Sequence, residues 1–286
     1  MIDKILWASD GSKDSIEALN YAELLARKFK AEIIGLQVML DYYGISDNLP
    51  ADEKIKFTKW VEETELKERR GLENIAKDFK EKGISFRIEV EKGIPHREIL
   101  KVADKEKVDL IALGKGRAIE KVLLGGTALK VLRGSSIPVL TAREAKKNLD
   151  IKRILVPTDI SHGLSKDFKY AVKLSKELGA IIYLLNIIEV GEYDFPLEIV
   201  EQLKGFSFKE IKENIGKVKI EERTETHIEV AKNAWRGIVK FAEEKDIDLI
   251  VMMTYGGRKK YKEDFIGSVA EKVIQESPCP VITMSP

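Results

Sequence analysis

The chain is written twice. Residues 4–38, KILWASDGSKDSIEALNYAELLARKFKAEIIGLQV, align with 152–187, KRILVPTDISHGLSKDFKYAVKLSKELGAIIYLLNI, setting Asp10 against Asp159. VDLIAL (108–113) faces IDLIVM (247–252), Gly126-Thr127 faces Gly267-Ser268, and Ile137-Pro138-Val139 faces Cys279-Pro280-Val281. The offset falls from 149 at Asp10 to 139 at Asp109, so the second copy has lost about ten residues in its middle. The polar stretch REAKKNLDIK (143–152) joins a strand-like end to a strand-like start. It marks the boundary between two domains, 1–144 and 150–286, a division that suits 286 residues at about 150 per domain.

Each copy alternates strands with helices. Ile5 to Ser9 is a short apolar run ending in an Asp-Gly-Ser turn, after which Ile16, Leu19, Ala22, Leu25 and Ala26 recur at helical spacing. Ile33 to Leu40 is nearly continuous apolar sequence, as a strand buried on both faces requires. Asp52 to Lys82 carries Phe57, Trp60, Val61, Leu72, Ile75 and Phe79 on one helical stripe, which predicts packing residues. A strand over 86–91, a helix opened by Pro95 at its favoured first position, a strand over 109–113, a helix over 127–133 and a closing strand over 137–142 follow. Such alternation predicts an α/β fold: a doubly wound parallel sheet with right-handed crossovers, twice over. Ligands of such sheets bind in the crevice at the carboxyl ends of the strands, so the loops after strands one and four are the candidate sites.

Composition removes several function classes. With 49 Lys and Arg against 48 Asp and Glu, the chain has no global field for holding nucleic acid or an anionic membrane. Its longest apolar stretches, such as 181–188, run about eight residues, under half of a bilayer crossing. The start, MIDKILWASDGS, lacks the basic and apolar regions of a secretory leader and predicts a cytoplasmic protein. One cysteine, Cys279, and three scattered histidines, His96, His162 and His227, exclude an internal disulfide and a multi-thiolate metal site.

Both fourth strands lead into glycine loops. Gly114-Lys115-Gly116-Arg117 precedes Gly126-Thr127 at a helix start, and Thr254-Tyr255-Gly256-Gly257 precedes Gly267-Ser268 at another. Glycine lets backbone approach a phosphate closely, and a helix N-terminus presents unpaired N–H groups. Lys115 and Arg117, or Arg258, Lys259 and Lys260, could add positive charge.

These features together resemble the universal stress proteins. The resemblance rests on the strand-one ends ILWASDGS and ILVPTDIS, the DLI strands, the glycine loops and the closing IPVLT and CPVIT strands, and it covers nearly the whole chain. The family's nucleotide-binding branch carries Gly, two residues, Gly, nine residues, Gly, then Ser or Thr. In the first copy Gly116 and Gly126-Thr127 fit but only Lys115 separates Gly114 from Gly116; in the second Gly257 and Gly267-Ser268 fit but Thr254 stands at the first glycine.

The resemblance implies an adenine nucleotide, ATP, ADP or AMP, held in one or both halves by a stress-response or signalling module. Asp10 or Asp159, with Ala8-Ser9 or Pro157-Thr158 before it, would meet the adenine and ribose. Val38 or Ile187 would pack on the base, and Gly114, Gly116, Arg117, Gly126 and Thr127, or Thr254, Gly257, Gly267 and Ser268, would hold phosphates, with Mg²⁺ or Mn²⁺ accompanying a triphosphate. It also implies that Ile137–Thr141 and Val281–Met284 pair across a pseudo-two-fold axis, making the chain a covalent dimer.

Other readings compete. Asp10 in Asp-Gly-Ser also suits a turn before a helix cap, and Ser268 with Glu271 three residues on has the form of a capping box, whereas Thr127 is followed by Lys130. The sequence offers no nucleophile and base pairing for fast catalysis. An interaction protein of the same fold without nucleotide is a second hypothesis, with protein partners or a further homodimer. A PP-loop type ligase is a third, because DGSKDS (10–15) partly matches that family's Ser-Gly-Gly-x-Asp-Ser loop.

Overall fold

A computed structural model of the chain describes residues 2–39, 49–115, 124–142, 149–159, 166–193, 195–216, 223–255 and 266–285. In the first half, strands β1 (Lys4–Ser9), β2 (Glu32–Met39), β3 (Phe86–Lys92), β4 (Leu110–Gly114) and β5 (Val139–Ala142) alternate with helices α1 (Lys13–Phe29), α2 (Ala51–Glu81), α3 (Pro95–Glu106) and α4 (Gly126–Gly134). The second half repeats the plan with β6 (Arg153–Thr158), α5 (Lys166–Leu178), β7 (Ile181–Glu189), α6 (Leu197–Gly216), β8 (Thr224–Ala231), α7 (Ala234–Glu244), β9 (Leu249–Met253), α8 (Ser268–Glu276) and β10 (Val281–Met284).

All ten strands form one sheet in the order β3-β2-β1-β4-β5-β10-β9-β6-β7-β8. Pairing is parallel within each half and antiparallel at the single join, β5 with β10, where Val281, Ile282 and Thr283 face Thr141, Leu140 and Val139. The expected join through the closing strands is therefore present. It is reciprocal in its side chains as well, since Thr141 Oγ1 donates to the Val281 carbonyl at 3.3 Å and Thr283 Oγ1 to the Val139 carbonyl at 3.4 Å. Pairing the two closing strands removes two open sheet edges at once.

Why the sheet is buried on both faces follows from its composition. Ile5, Leu6, Trp7, Ile33, Ile34, Leu110 and Ile111 are fully buried, the alternate residues of each strand feeding apolar clusters on opposite faces. One cluster carries α1, α2 and α5 and includes both Leu140 and Ile282, so the core on that face is continuous through the join. Asp109 and its counterpart Asp248 pin the strand starts in the same way: Asp109 Oδ2 accepts from the Asp3 and Lys4 N–H groups at 2.7 and 3.0 Å, and Asp248 Oδ2 from those of Lys152 and Arg153 at 3.0 and 2.9 Å.

The stripe read on α2 divides along its length. Toward its C-terminus Leu72 and Phe79 are buried, with Phe79 4.9 Å from the Phe86 ring of β3, whereas Trp60 is 51% exposed. A 31-residue helix spans roughly 46 Å at 1.5 Å per residue, far longer than β2 or β3. Its first half therefore extends past the strands, and Trp60 is not the packing residue its spacing suggests. No helix among the described residues is long and apolar enough to cross a membrane.

Candidate functional site

At the carboxyl edge of the first half's strands lies a cleft of about 470 Å³. It opens where the chain's strand order turns, with β2 and β4 on either side of β1. Ala8, Ser9 and Asp10 end β1 on its floor; Leu36 to Met39 of β2 form one wall with Pro95 and Ile99 of α3; Gly125 to Ala128 bring the start of α4 to the other. Val61, Thr64 and Glu68 of α2 close over the side.

Local chemistry explains the floor. Trp7 Nε1 donates to the Ser15 carbonyl at 2.7 Å, holding the first turn of α1 against β1. Gly11 has φ +69, the left-handed conformation that glycine adopts without strain, and its N–H donates to Ser9 Oγ at 3.2 Å. Asp10 Oδ1 accepts from the Ser12 N–H at 2.9 Å, and Ser12 Oγ caps α1 by accepting from the Ser15 N–H at 3.1 Å. The turn reading of Asp10 is thus correct, and the same residue also lines the cleft with its carboxylate exposed.

Gly114 is set by packing. A Cβ there would lie 2.6 Å from the backbone of Asp14 and Ser15, so glycine is what lets α1 cross the end of β4. Lys115 follows, and its side chain departs from the expectation that it supplies charge to a phosphate. It is 1% exposed, and its ammonium reaches toward the Ser277 carbonyl in the other half at 3.4 Å.

The loop register is also different from the one read in the sequence. The Lys115 N–H donates to the Ala142 carbonyl and the Lys115 carbonyl accepts from the Gly125 N–H; Thr254 makes the matching bonds with Met284 and Gly267. Gly125 therefore stands opposite Gly267 and Gly126 opposite Ser268, both glycines capping their helices with φ near −60° to −70°. Nine residues separate Lys115 from Gly125 and twelve separate Thr254 from Gly267, so the first loop is three residues shorter than the second. Ser268 is the first residue of α8 rather than its cap, so the capping box with Glu271 does not form; Glu271 instead faces Arg133 across the join at 3.9 Å.

The first cleft gathers Ala8, Ser9, Asp10, Val38, Gly114, Gly126 and Thr127 from the sequence-derived set. Gly116, Arg117 and Gly257 lie outside the described residues, as do Arg258, Lys259 and Lys260. In the second half Pro157 and Thr158 end β6, with Asp159 exposed just beyond, and Thr254 is buried at the end of β9. Ile187 there lies hard against α7: a Cβ on Gly237 would sit 2.8 Å from Ile187 Cδ1. Sequence reasoning missed Gln37 and the α2 wall. Both had a signal, because Gln37 is the one polar side chain in the apolar run 33–40, and Val61, Thr64 and Glu68 keep the i, i+3, i+7 spacing of the buried stripe while turning polar.

Comparison with known proteins agrees with this architecture. The sequence model of the Universal stress protein family matches residues 1–143 and again 150–284. A universal stress protein of Methanocaldococcus jannaschii is 33% identical over 151 residues, covering 50% of this chain and 84% of its own length. A second from that organism is 29% identical over 159 residues, covering 50% of this chain and 96% of its own. Over the whole chain, the crystal structure of a universal stress protein from Archaeoglobus fulgidus has a TM-score of 0.74 at 24% identity, covering 99% of this chain and 98% of that one, which establishes a shared fold. The chain belongs to the universal stress protein family, with the family's domain present twice in tandem.

Proposed function

We propose that the chain binds an adenine nucleotide, ATP, ADP or AMP, in the cleft of its first half and works as a cytoplasmic nucleotide-responsive stress or signalling module. The observation that carries this reading is the meeting of three chemistries in one cleft of about 470 Å³, a size suited to a nucleotide. Val38, Pro95, Ile99 and Ala8 offer an apolar slot for a base; the Asp10 carboxylate is an acceptor for ribose hydroxyls; the first N–H groups of α4, which have no partner within the helix, face a phosphate. A divalent cation, Mg²⁺ or Mn²⁺, would ride on the oxygens of a triphosphate. Among the described residues no group of three or more His, Cys, Asp and Glu is arranged to hold a metal.

The second half reads as the weaker site, since Ile187 is already packed on α7. The two domains are taken as 1–144 and 150–286. Ligase chemistry of the PP-loop type finds little support, because the Ser12 and Ser15 hydroxyls are buried and engaged in the cap of α1. A nucleotide-independent interaction protein is the second reading, favoured by the shortened first loop. Titration of the full chain with ATP, ADP and AMP separates the two: saturable binding that Gly126→Val abolishes supports the cleft, and three flat titrations at millimolar nucleotide support the interaction protein.

A further inference from the structure

The α2 side of the first cleft carries a polar group that the phosphate, ribose and apolar contacts leave unused. Gln37 interrupts an apolar strand, pairs in register with Ser9 of β1 and Val90 of β3, and is 9% exposed. Among the described residues its side-chain amide has no hydrogen-bond partner, although it lines the cleft. Its amide atoms are not enclosed: they open on the cleft, where water satisfies them until a ligand group takes its place. The chain contains its own control. Asn186 occupies the equivalent position of the second half, paired with Thr158 as Gln37 is with Ser9, and its Nδ2 donates to the Thr158 carbonyl at 2.9 Å. The shorter amide is satisfied within its own sheet, and the longer one faces a cleft.

Two residues beside it define what it would meet. Thr64 Oγ1 gives its proton to the Trp60 carbonyl at 2.8 Å, so it offers the cleft only lone pairs. Glu68, one turn further along the same face of α2, is acceptor-only when ionised. The wall is therefore rich in acceptors, with one amide that both donates and accepts.

We propose that Gln37 is a specificity-determining residue of the first cleft, its amide pairing with the amino-bearing edge of the base while Thr64 and Glu68 disfavour a carbonyl there. The site then selects a 6-aminopurine over the 6-oxopurine of the same shape. This inference rests on the nucleotide reading of the cleft. A site built to hydrogen-bond a ligand group rejects the analogue lacking it far more strongly than an apolar pocket does, because its own buried polar atoms are left unpaired.

The test is calorimetric titration of the full chain with ATP and ITP, repeated with AMP and IMP, on the wild type, Gln37→Met and Glu68→Gln. The wild type should prefer the amino nucleotide by about tenfold or more. Gln37→Met should lose most of that preference, through weaker binding of ATP or AMP and little change with ITP or IMP, and Glu68→Gln should lose part of it. Without ligand, Gln37→Met should melt close to the wild-type temperature, since among the described residues the amide makes no hydrogen bond within the fold and opens on the cleft. Retention of the full preference in Gln37→Met overturns the proposal while leaving nucleotide binding intact. A ligand-free Gln37→Met that melts several degrees lower overturns it too, by showing that the amide has a structural role. If the wild type binds none of the four nucleotides, this proposal and the nucleotide reading fall together.

Discussion

Side chains at the first cleft divide into those spent on holding the loop and those left over for a ligand. Ser9, Ser12 and Ser15 are spent, and Asp10 is half spent, with Oδ1 on the Ser12 N–H. Glycines divide in the same way. A Cβ on Gly114 meets backbone at 2.6 Å, so Gly114→Ala should destabilise the fold by about 1–3 kcal/mol, readable as a lowered midpoint in urea. A Cβ on Gly126 meets nothing within 4 Å, so a substitution there should act on a ligand and spare the fold. Away from the cleft, burial pushes the Tyr170 hydroxyl pKa well up, Asp109 adds to the effect, and among the described residues the hydroxyl has no hydrogen-bond partner. Tyr170→Phe should therefore leave the melting temperature unchanged or raise it; a clear loss of stability would reveal a partner for that oxygen. Asp10 and Val38 were legible as cleft residues because strand ends and apolar runs mark the carboxyl edge of a parallel sheet. Lys115 was misleading because a basic residue between glycines looks like a phosphate ligand, while its direction is set by contacts 162 positions away.

At the scale of elements, periodicity located each described strand and helix of the first half to within a few residues, and the errors lie where length or register is decided by tertiary contacts. Matching Gly126-Thr127 with Gly267-Ser268 preserves residue identity, yet the hydrogen bonds that close each loop pair Gly125 with Gly267. No local signal reports a closure made between a loop's two ends. The long α2 was legible as a helix, but its stripe did not reveal that only its C-terminal half reaches the sheet. That end is tied to α1 by Lys82, whose ammonium bonds Glu23 at 2.9 Å beside Arg27 at 2.8 Å. Partial burial raises the Glu23 pKa, but the bonds from Lys82 and Arg27 outweigh it and leave it below the ordinary 4.5. A carboxyl depressed in the folded state stabilises above its unfolded value and loses that contribution as pH falls through the folded one. The stability difference between wild type and Glu23→Gln should thus be present at neutral pH, at a few tenths to about 1 kcal/mol given solvent exposure, and should shrink below pH 4.5. Denaturant midpoints at pH 7 and pH 3.5 measure it.

The whole molecule is one sheet made from two copies, and its centre is the β5–β10 pair. Leu140 and Ile282 are fully buried there, so Ile282→Ala should cost about 2–5 kcal/mol and lower the stability of both halves in a single transition. The join should hold without the covalent link: after cleavage at a site engineered between residues 143 and 148, the two pieces should still co-elute on gel filtration. The resemblance to the universal stress proteins implied this pairing, and the repeat, which puts both partners in one chain, made it an expectation within a single molecule. The repeat could not show how the two copies differ at their strand ends. They differ in single contacts such as Ile187 on Gly237. Nucleotide binding in the first cleft is best tested by titrating ATP, ADP and AMP into the wild type, Gly126→Val and Gly267→Val, with the melting temperature of each variant as the check on folding. Binding of at least one nucleotide by the wild type, lost in Gly126→Val and kept in Gly267→Val, is the predicted result. Binding unchanged in a folded Gly126→Val, or absent from the wild type, contradicts it.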